Sequence, residues 1–277
     1  MKEITVKQID NREIPDLIPG IVNVFRDDEV VPWHRYDDCL EIVKLRNERG
    51  FYIIVAYYDN KIAGYSEWIV TYDKGVKVLY LDLMQVDCDL RGRRIGTAML
   101  CDGEKYAESI GMERLRTSPE DERAHNFYRK YGFIDTDLIY YCVCPTRVNN
   151  EIRQNGNPAV VTLEVADTNE FIFGVCQASS RHMYEVANHS PEKSAFKAIT
   201  LYINSGYLQF RYREGTKKAM ALYWSNNEVT AETISDILTQ GYMAGFDEIG
   251  FYFKSKHKSL FADYNVICES TEIEKEI

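Results

Sequence analysis

With 277 residues, the chain is long enough for one large domain or two of ordinary size. Its 45% hydrophobic and 27% charged residues exclude a mostly disordered protein, and no apolar run approaches the ~20 residues of a bilayer span. A formal net charge of −10 argues against nucleic-acid binding and favours cationic partners.

The polar, acid-bearing N-terminal stretch fits neither a secretory nor a transit peptide. Glu3 to Gln8 reads as a first strand. Pro15–Phe25 and Asp38–Arg49 carry helical spacing, with Asp37 or Asp38 as N-cap of the second. Phe51–Tyr58 and Lys61–Tyr72 form a hairpin turning at Asp59-Asn60. Val78–Val86 is a strand rich in β-formers; residues 94–110 follow as a helix stopped by Gly111. A short strand at Glu113–Thr117, a helix marked by Ala124, Phe127, Tyr128 and Tyr131, and strands over Phe133–Cys144 complete this half. Such an order predicts an α/β (α+β) fold, a mixed central sheet flanked by helices. Seven cysteines without a disulfide-scaffold pattern suit a reducing, cytoplasmic setting. Cys142 and Cys144 would share a strand face; one pair lacks the ligands for a closed zinc site, so no metal is expected.

The segment Arg91-Gly92-Arg93-Arg94-Ile95-Gly96 sits between a strand and a helix start. A turn of this kind aims backbone N–H groups and the positive end of a helix dipole at one spot, which suits an anion such as a diphosphate. From the residues alone, a basic turn capping an ordinary strand–helix unit is an equal reading.

The stretch Val86-x-Cys88-x-x-Arg91-Gly92-x-Arg94-Ile95-Gly96-x-Ala98 resembles the acetyl-CoA motif of the GNAT acetyltransferases, V-x-P-x-x-[QR]-x-x-G-x-[GA]. Cys88 replaces the usual proline, and Arg94 the first of two glycines. A second motif, Ala124-His125-Asn126-Phe127-Tyr128-Arg129-Lys130-Tyr131-Gly132-Phe133, is similar to A-x-x-F-Y-x-x-x-G-F and follows at the family's distance. The resemblance covers roughly residues 1–145. It implies acetyl transfer by direct attack of an amine on acetyl-CoA, a co-substrate.

It also implies roles. Backbone of Val86, Asp87 and Cys88 would pair with the pantetheine; Arg91, Gly92, Arg93, Arg94, Ile95, Gly96 and Thr97 would form the pyrophosphate turn. Asp121, Ala124 and Phe127 would add cofactor contacts. Tyr128 would act as general acid on the leaving thiolate, and Glu67 or Asp82 as general base for the amine. The segment Val31 to Asp38 stands where the family often lines its acceptor site; its aromatics beside acids suit an organic cation, and a surface loop anchored by its aromatics is an equal reading.

Residues 146–157 read as a linker, giving domains 1–147 and 148–277. The second half reads as a smaller, degenerate copy of the first, with an unrelated α/β domain of coincidentally similar element order as the other reading: a strand at Val160–Val165, helical stretches near 168–186 and 191–204, and a hairpin of Tyr207–Arg213 with Lys217–Trp224. Helix, strand and helix follow over Ala231–Ala244, Glu248–Phe253 and His257–Tyr264, with Phe261 opposite Tyr128. This copy lacks the segment corresponding to residues 78–96. The partners expected are acetyl-CoA and an amine of a small molecule or protein, with neither nucleic acid nor membrane; oligomeric state is not legible. The alternative is a non-catalytic CoA-binding sensor or interaction module.

Overall fold

The computed structural model describes residues 3–27, 33, 35–73, 75–146, 157–159, 171–174 and 197–277. Packing divides the chain into two compact units, Met1–Thr117 with Glu274–Ile277, and Ser118–Ile273.

The first unit contains β1 (Ile4–Gln8), α1 (Ile14–Val24), α2 (Tyr36–Glu48), β2 (Tyr52–Tyr58), β3 (Lys61–Asp73), β4 (Val76–Val86), α3 (Ile95–Ser109) and β5 (Arg114–Thr117). The strands β1 to β4 form an antiparallel meander, and β5 joins β4 in parallel after the α3 crossover. Asp59 and Asn60 take φ of 55° and 60°, the left-handed pair that a two-residue hairpin needs. α1 buries Ile14, Ile18, Ile21 and Val24, one stripe at helical spacing. Helix α3 lies close on the sheet because Gly103 has no side chain: a Cβ there would meet the Trp68 ring at 2.4 Å. Asp37 and Asp38 fall in the first turn of α2; its N-cap is Arg35, and no side chain caps it.

The second unit contains α4 (Glu122–Arg129), β6 (Ile134–Pro145), β7 (Asn157–Pro158), β8 (Phe171–Phe173), β9 (Lys197–Ile203), β10 (Gly206–Tyr212), β11 (Lys218–Ser225), α5 (Ala231–Met243) and β12 (Glu248–Lys254). A 3₁₀ helix at Ser255–Phe261 and β13 (Ile267–Glu276) complete the chain, although Glu274–Glu276 pack with the first unit. Its core gathers Cys142, Cys144, Phe173, Leu208, Phe210, Phe251 and Phe261 with the apolar face of α5.

Four expectations for this half are corrected, the first being that the strand of the segment corresponding to residues 78–96 is lost: β11 runs parallel to β12 on either side of α5, as β4 does to β5 on either side of α3. The helical stretch at 191–204 is, over its described part, strand β9. Asn204 and Ser205 have φ of 48° and 57°, and Ile203 pairs with Gly206, so a two-residue hairpin turn overrides the helical spacing. The stretch near 168–186 contains the strand β8, whose backbone pairs with β11 and β12. The helix at His257–Tyr264 is instead the 3₁₀ helix. Strand β13 has no expectation behind it; its buried side chains are Glu272, Ile273 and Glu274. Lys254 pairs with Glu272 at 2.8 Å, and Arg114 with Glu274 at 2.9 Å, so each of these buried acids has a cationic partner. The expected strand Val160–Val165, Val31, Pro32, His34 and most of the linker lie outside the described residues.

Candidate active site

In the first unit, β3 and β4 pair in register from Asp73↔Val76 to Trp68↔Leu81, then again from Glu67↔Leu83. Asp82 is the extra residue between them, a β-bulge, a feature that re-aims side chains and is frequent beside active sites. The ladder between β4 and β5 runs only from Val78↔Arg114 to Tyr80↔Arg116. The Thr117 hydroxyl then donates to Leu81 O at 3.0 Å. Leu83 to Val86 continue β4 beyond that ladder.

Glu67 and Asp82 come together on one guanidinium. Arg46 of α2 salt-bridges Glu67 Oε1 and lies 3.2 Å from Asp82 Oδ2. Its charge also sits over the rings of Trp33 at 5.7 Å and Phe51 at 5.5 Å. The Tyr65 hydroxyl donates to Glu67 Oε2 at 2.9 Å, and burial pushes that phenol's pKa up. Both carboxylates are deeply enclosed: the Glu67 side chain is 0% exposed and that of Asp82 2%. A proton would reach them only through a neighbour or a local opening. The sequence reading missed Arg46, yet a signal exists. It falls on the buried stripe of α2 with Cys39 and Val43, where an arginine must find partners.

The turn after β4 brings Val86 through Thr97 into one strand–turn–helix. Cys88–Leu90 form a 3₁₀ helix, with the Asp87 carboxylate accepting the N–H of Asp89 at 3.0 Å. Arg91 donates to Val86 O at 3.3 Å and to Asp27 at 2.9 Å, and Arg93 to the Tyr58 hydroxyl at 3.1 Å. Gly92 has φ of 79°, and Arg94 adopts φ of 66°, the left-handed conformation that a glycine takes without strain. Arg94 therefore keeps the shape of the turn despite its side chain. Ile95 is buried as the first residue of α3, while Gly96 and Thr97 are partly open. No side chain caps α3, and its first turn contains no acid. Its N-terminal amides and dipole thus suit an anion.

The second unit gathers Asp121, Ala124, Phe127 and Tyr128 on α4. Asp121 is the N-cap; its carboxylate accepts the N–H of Ala124 at 2.6 Å. Tyr128 is 5% exposed, with its ring edge-on to Phe127 at 5.1 Å and to Phe133 at 5.4 Å. Desolvation, with a smaller contribution from Glu120, raises its pKa, so the hydroxyl stays protonated at neutral pH and is a donor.

The sequence pattern of the Acetyltransferase (GNAT) family matches residues 18–133. These residues form a GNAT acetyltransferase domain. Comparison with curated protein sequences finds no match. Among solved structures, the fold is similar to a putative acetyltransferase from Pyrococcus horikoshii (13% identity, 99% of this chain and 89% of that one, TM-score 0.63). It is also similar to a probable N-acyltransferase from Enterococcus faecalis V583 (12%, 100% and 73%, 0.62) and a GCN5-related N-acetyltransferase from Kribbella flavida (10%, 99% and 71%, 0.61). At such identities the likeness speaks for the fold, and it extends over both halves. The family match and this fold support acyl transfer. No helix among the described residues is long and apolar enough to cross a membrane, which says nothing of membrane-spanning strands.

Proposed function

We propose that the GNAT domain transfers an acetyl group from acetyl-CoA to an amine, with one acetyl-CoA per chain. One observation carries this reading: a bulged strand continues past its parallel ladder into a turn with Gly92 and Arg94 at positive φ, then into an uncapped helix. In the proposal, backbone of Val86, Asp87 and Cys88 accompanies the pantetheine by strand-like pairing. The turn from Arg91 to Thr97 takes the diphosphate. Asp121, Ala124 and Phe127 contribute further contacts by family resemblance, and Tyr128 stabilises the leaving thiolate as donor. Glu67 or Asp82 relays the proton from the acceptor ammonium. The division at residue 147, and the second half as a degenerate GNAT-like domain without a cofactor site, belong to the same proposal.

A non-catalytic acyl-CoA-binding module has one observation in its favour: both carboxylates proposed as base are enclosed around Arg46. Calorimetry with CoA, followed by acetyl-CoA turnover against polyamines, aminoglycosides, amino acids and peptides, separates the two. We expect one site per chain, lost in a folded Gly96→Val variant. With an accepted amine, Tyr128→Phe should lower turnover by about 10²–10⁴-fold with little change in CoA affinity. Two equivalent sites, or CoA binding that survives Gly96→Val, would overturn the placement; CoA binding without turnover on any amine would favour the module.

A further inference from the structure

The end of α1 reaches the proposed cofactor turn chiefly through the Arg26 side chain. Arg26 Nη1 and Nη2 donate to Asp87 Oδ2 and Oδ1, each at 2.7 Å. Nη2 also donates to Asp89 Oδ2 at 2.6 Å and to Cys88 Sγ at 3.0 Å. Asn23, three residues earlier, donates to Asp87 Oδ2 at 3.2 Å, and its own carbonyl accepts from Arg26 at 2.9 Å. Asp87 is 6% exposed, so this carboxylate is an internal fastening and not a surface charge. Arg26 holds the Asp87 carboxyl below its usual pKa, and Asp87 in turn raises that of the guanidinium. The ligand atoms of Asp87, Cys88 and Asp89 lie within 4.8 Å of one another, a grouping that would otherwise suit a cation. Arg26 supplies the positive charge there.

The turn needs such a fastening. Between the end of β4 and the start of α3 it has a three-residue 3₁₀ helix, with Gly92 and Arg94 both at positive φ. Its backbone is also what the ligand would use. A second tie, Asp27 to Arg91 at 2.9 Å, comes from the same end of α1.

The geometry points to Arg26 as a positioning residue for acyl-CoA: by joining Asp87, Cys88 and Asp89 it holds the backbone of residues 86–88, and the approach to the diphosphate turn, in binding shape. This rests on the cofactor reading above. A lysine keeps the charge but cannot span three consecutive acceptors with one planar fork.

Calorimetric titration of the full chain with CoA tests this, on wild type, Arg26→Met, Arg26→Lys, Asp87→Asn and the Arg26→Met/Asp87→Asn pair, below the melting range of each. Arg26→Met should weaken CoA about tenfold, and Arg26→Lys by less. The double variant should be no worse than Arg26→Met alone, because the two residues act as one unit. If Arg26→Met melts below the assay temperature, Arg26→Lys and Asp87→Asn provide the comparison. A lower Tm with unchanged CoA affinity would reduce Arg26 to a structural fastening and overturn the role, as would losses that simply add. Wild-type protein that takes up no CoA would overturn the cofactor reading itself and this role with it.

Discussion

The two units each contain a strand, a crossover helix and a parallel strand: β4–α3–β5 in the first, β11–α5–β12 in the second. Both parallel ladders are short, ending at Tyr80↔Arg116 and at Ala221↔Phe251. Beyond that point they differ. In the first unit, no other strand among the described residues pairs with β4 on the β5 side. In the second, β8 enters: Tyr223 and Trp224 of β11 pair with Phe173 and Phe171, and Phe253 of β12 also pairs with Phe173. A strand laid between two diverging strands makes the backbone bonds that a pantetheine would make in the proposed site. The helix starts differ in the same direction. α3 has no side-chain cap, whereas α5 begins with a capping box of Thr230 and Thr233 and has Glu232 in its first turn. On the proposed reading, diverging strands before a helix do not make an anion site by themselves. What matters is whether the chain has already used the backbone groups they offer.

The widest way to break this comparison is to remove the plug. Phe173 is fully buried, with its ring 5.4 Å from Phe251, 5.8 Å from Phe261 and 6.1 Å from Tyr223. Phe173→Ala should destabilise the second unit by about 3–5 kcal/mol, the usual cost of emptying a phenylalanine site in a packed core. Denaturant unfolding followed by the fluorescence of buried Trp224 measures it. A loss below about 1 kcal/mol would mean that β8 only lies against β11 and β12 and does not fill the gap between them. CoA stoichiometry should remain one in the variant, since α5 stays capped.

A smaller effect tests the helix starts directly. Thr230→Ala removes the side chain that accepts from the Thr233 N–H, and should cost about 1 kcal/mol. A loss of unfolding free energy well under that would show that solvent already serves the first turn of α5, and that its contrast with α3 is one of appearance.

The comparison also shows which parts were legible. Most described elements of residues 1–145 are visible in the sequence because their determinants are local: the Asp59-Asn60 turn, the apolar stripe of α1, the glycine stop at Gly111; the 3₁₀ helix Cys88–Leu90 and the merging of Phe133–Cys144 into the one strand β6 are not. The proposed site was legible as a motif, while its supports were not. Arg26 and Asn23 reach Asp87 across more than sixty positions, and nothing in their immediate surroundings announces that. In the second half, the expected loss of the strand before the turn was wrong in an instructive way. With β9 taken as helix, β10 and β11 took the places of β2 and β3, and β11 could not be seen to occupy the place of β4. Only the basic turn is missing, and Ser225 to Thr230 stands in its place. Strand β13 stayed hidden because two of its three buried side chains are acids, and acids are buried only where distant cations meet them.

The smallest effect lies at Arg94, the one position where the first unit departs from its motif and still keeps the motif's shape. An L-residue in the left-handed region is strained by roughly 1–2 kcal/mol, and glycine relieves that strain but loses about 0.5–1 kcal/mol more chain freedom on folding. Arg94→Gly should therefore leave the first unit as stable as before or more stable by no more than about 1.5 kcal/mol. The exposed guanidinium, by contrast, is free of any cap duty at α3, so its loss is read in ligand binding. If Arg94 pairs with phosphate, CoA affinity should fall a few-fold in Arg94→Gly, and the fall should shrink with added salt as screening replaces the lost charge. Unchanged affinity at low and high salt would mean that the arginine only stands where a glycine could, and that the turn binds through its backbone alone. A clear loss of stability would show that the side chain holds the turn together, which its exposed position argues against.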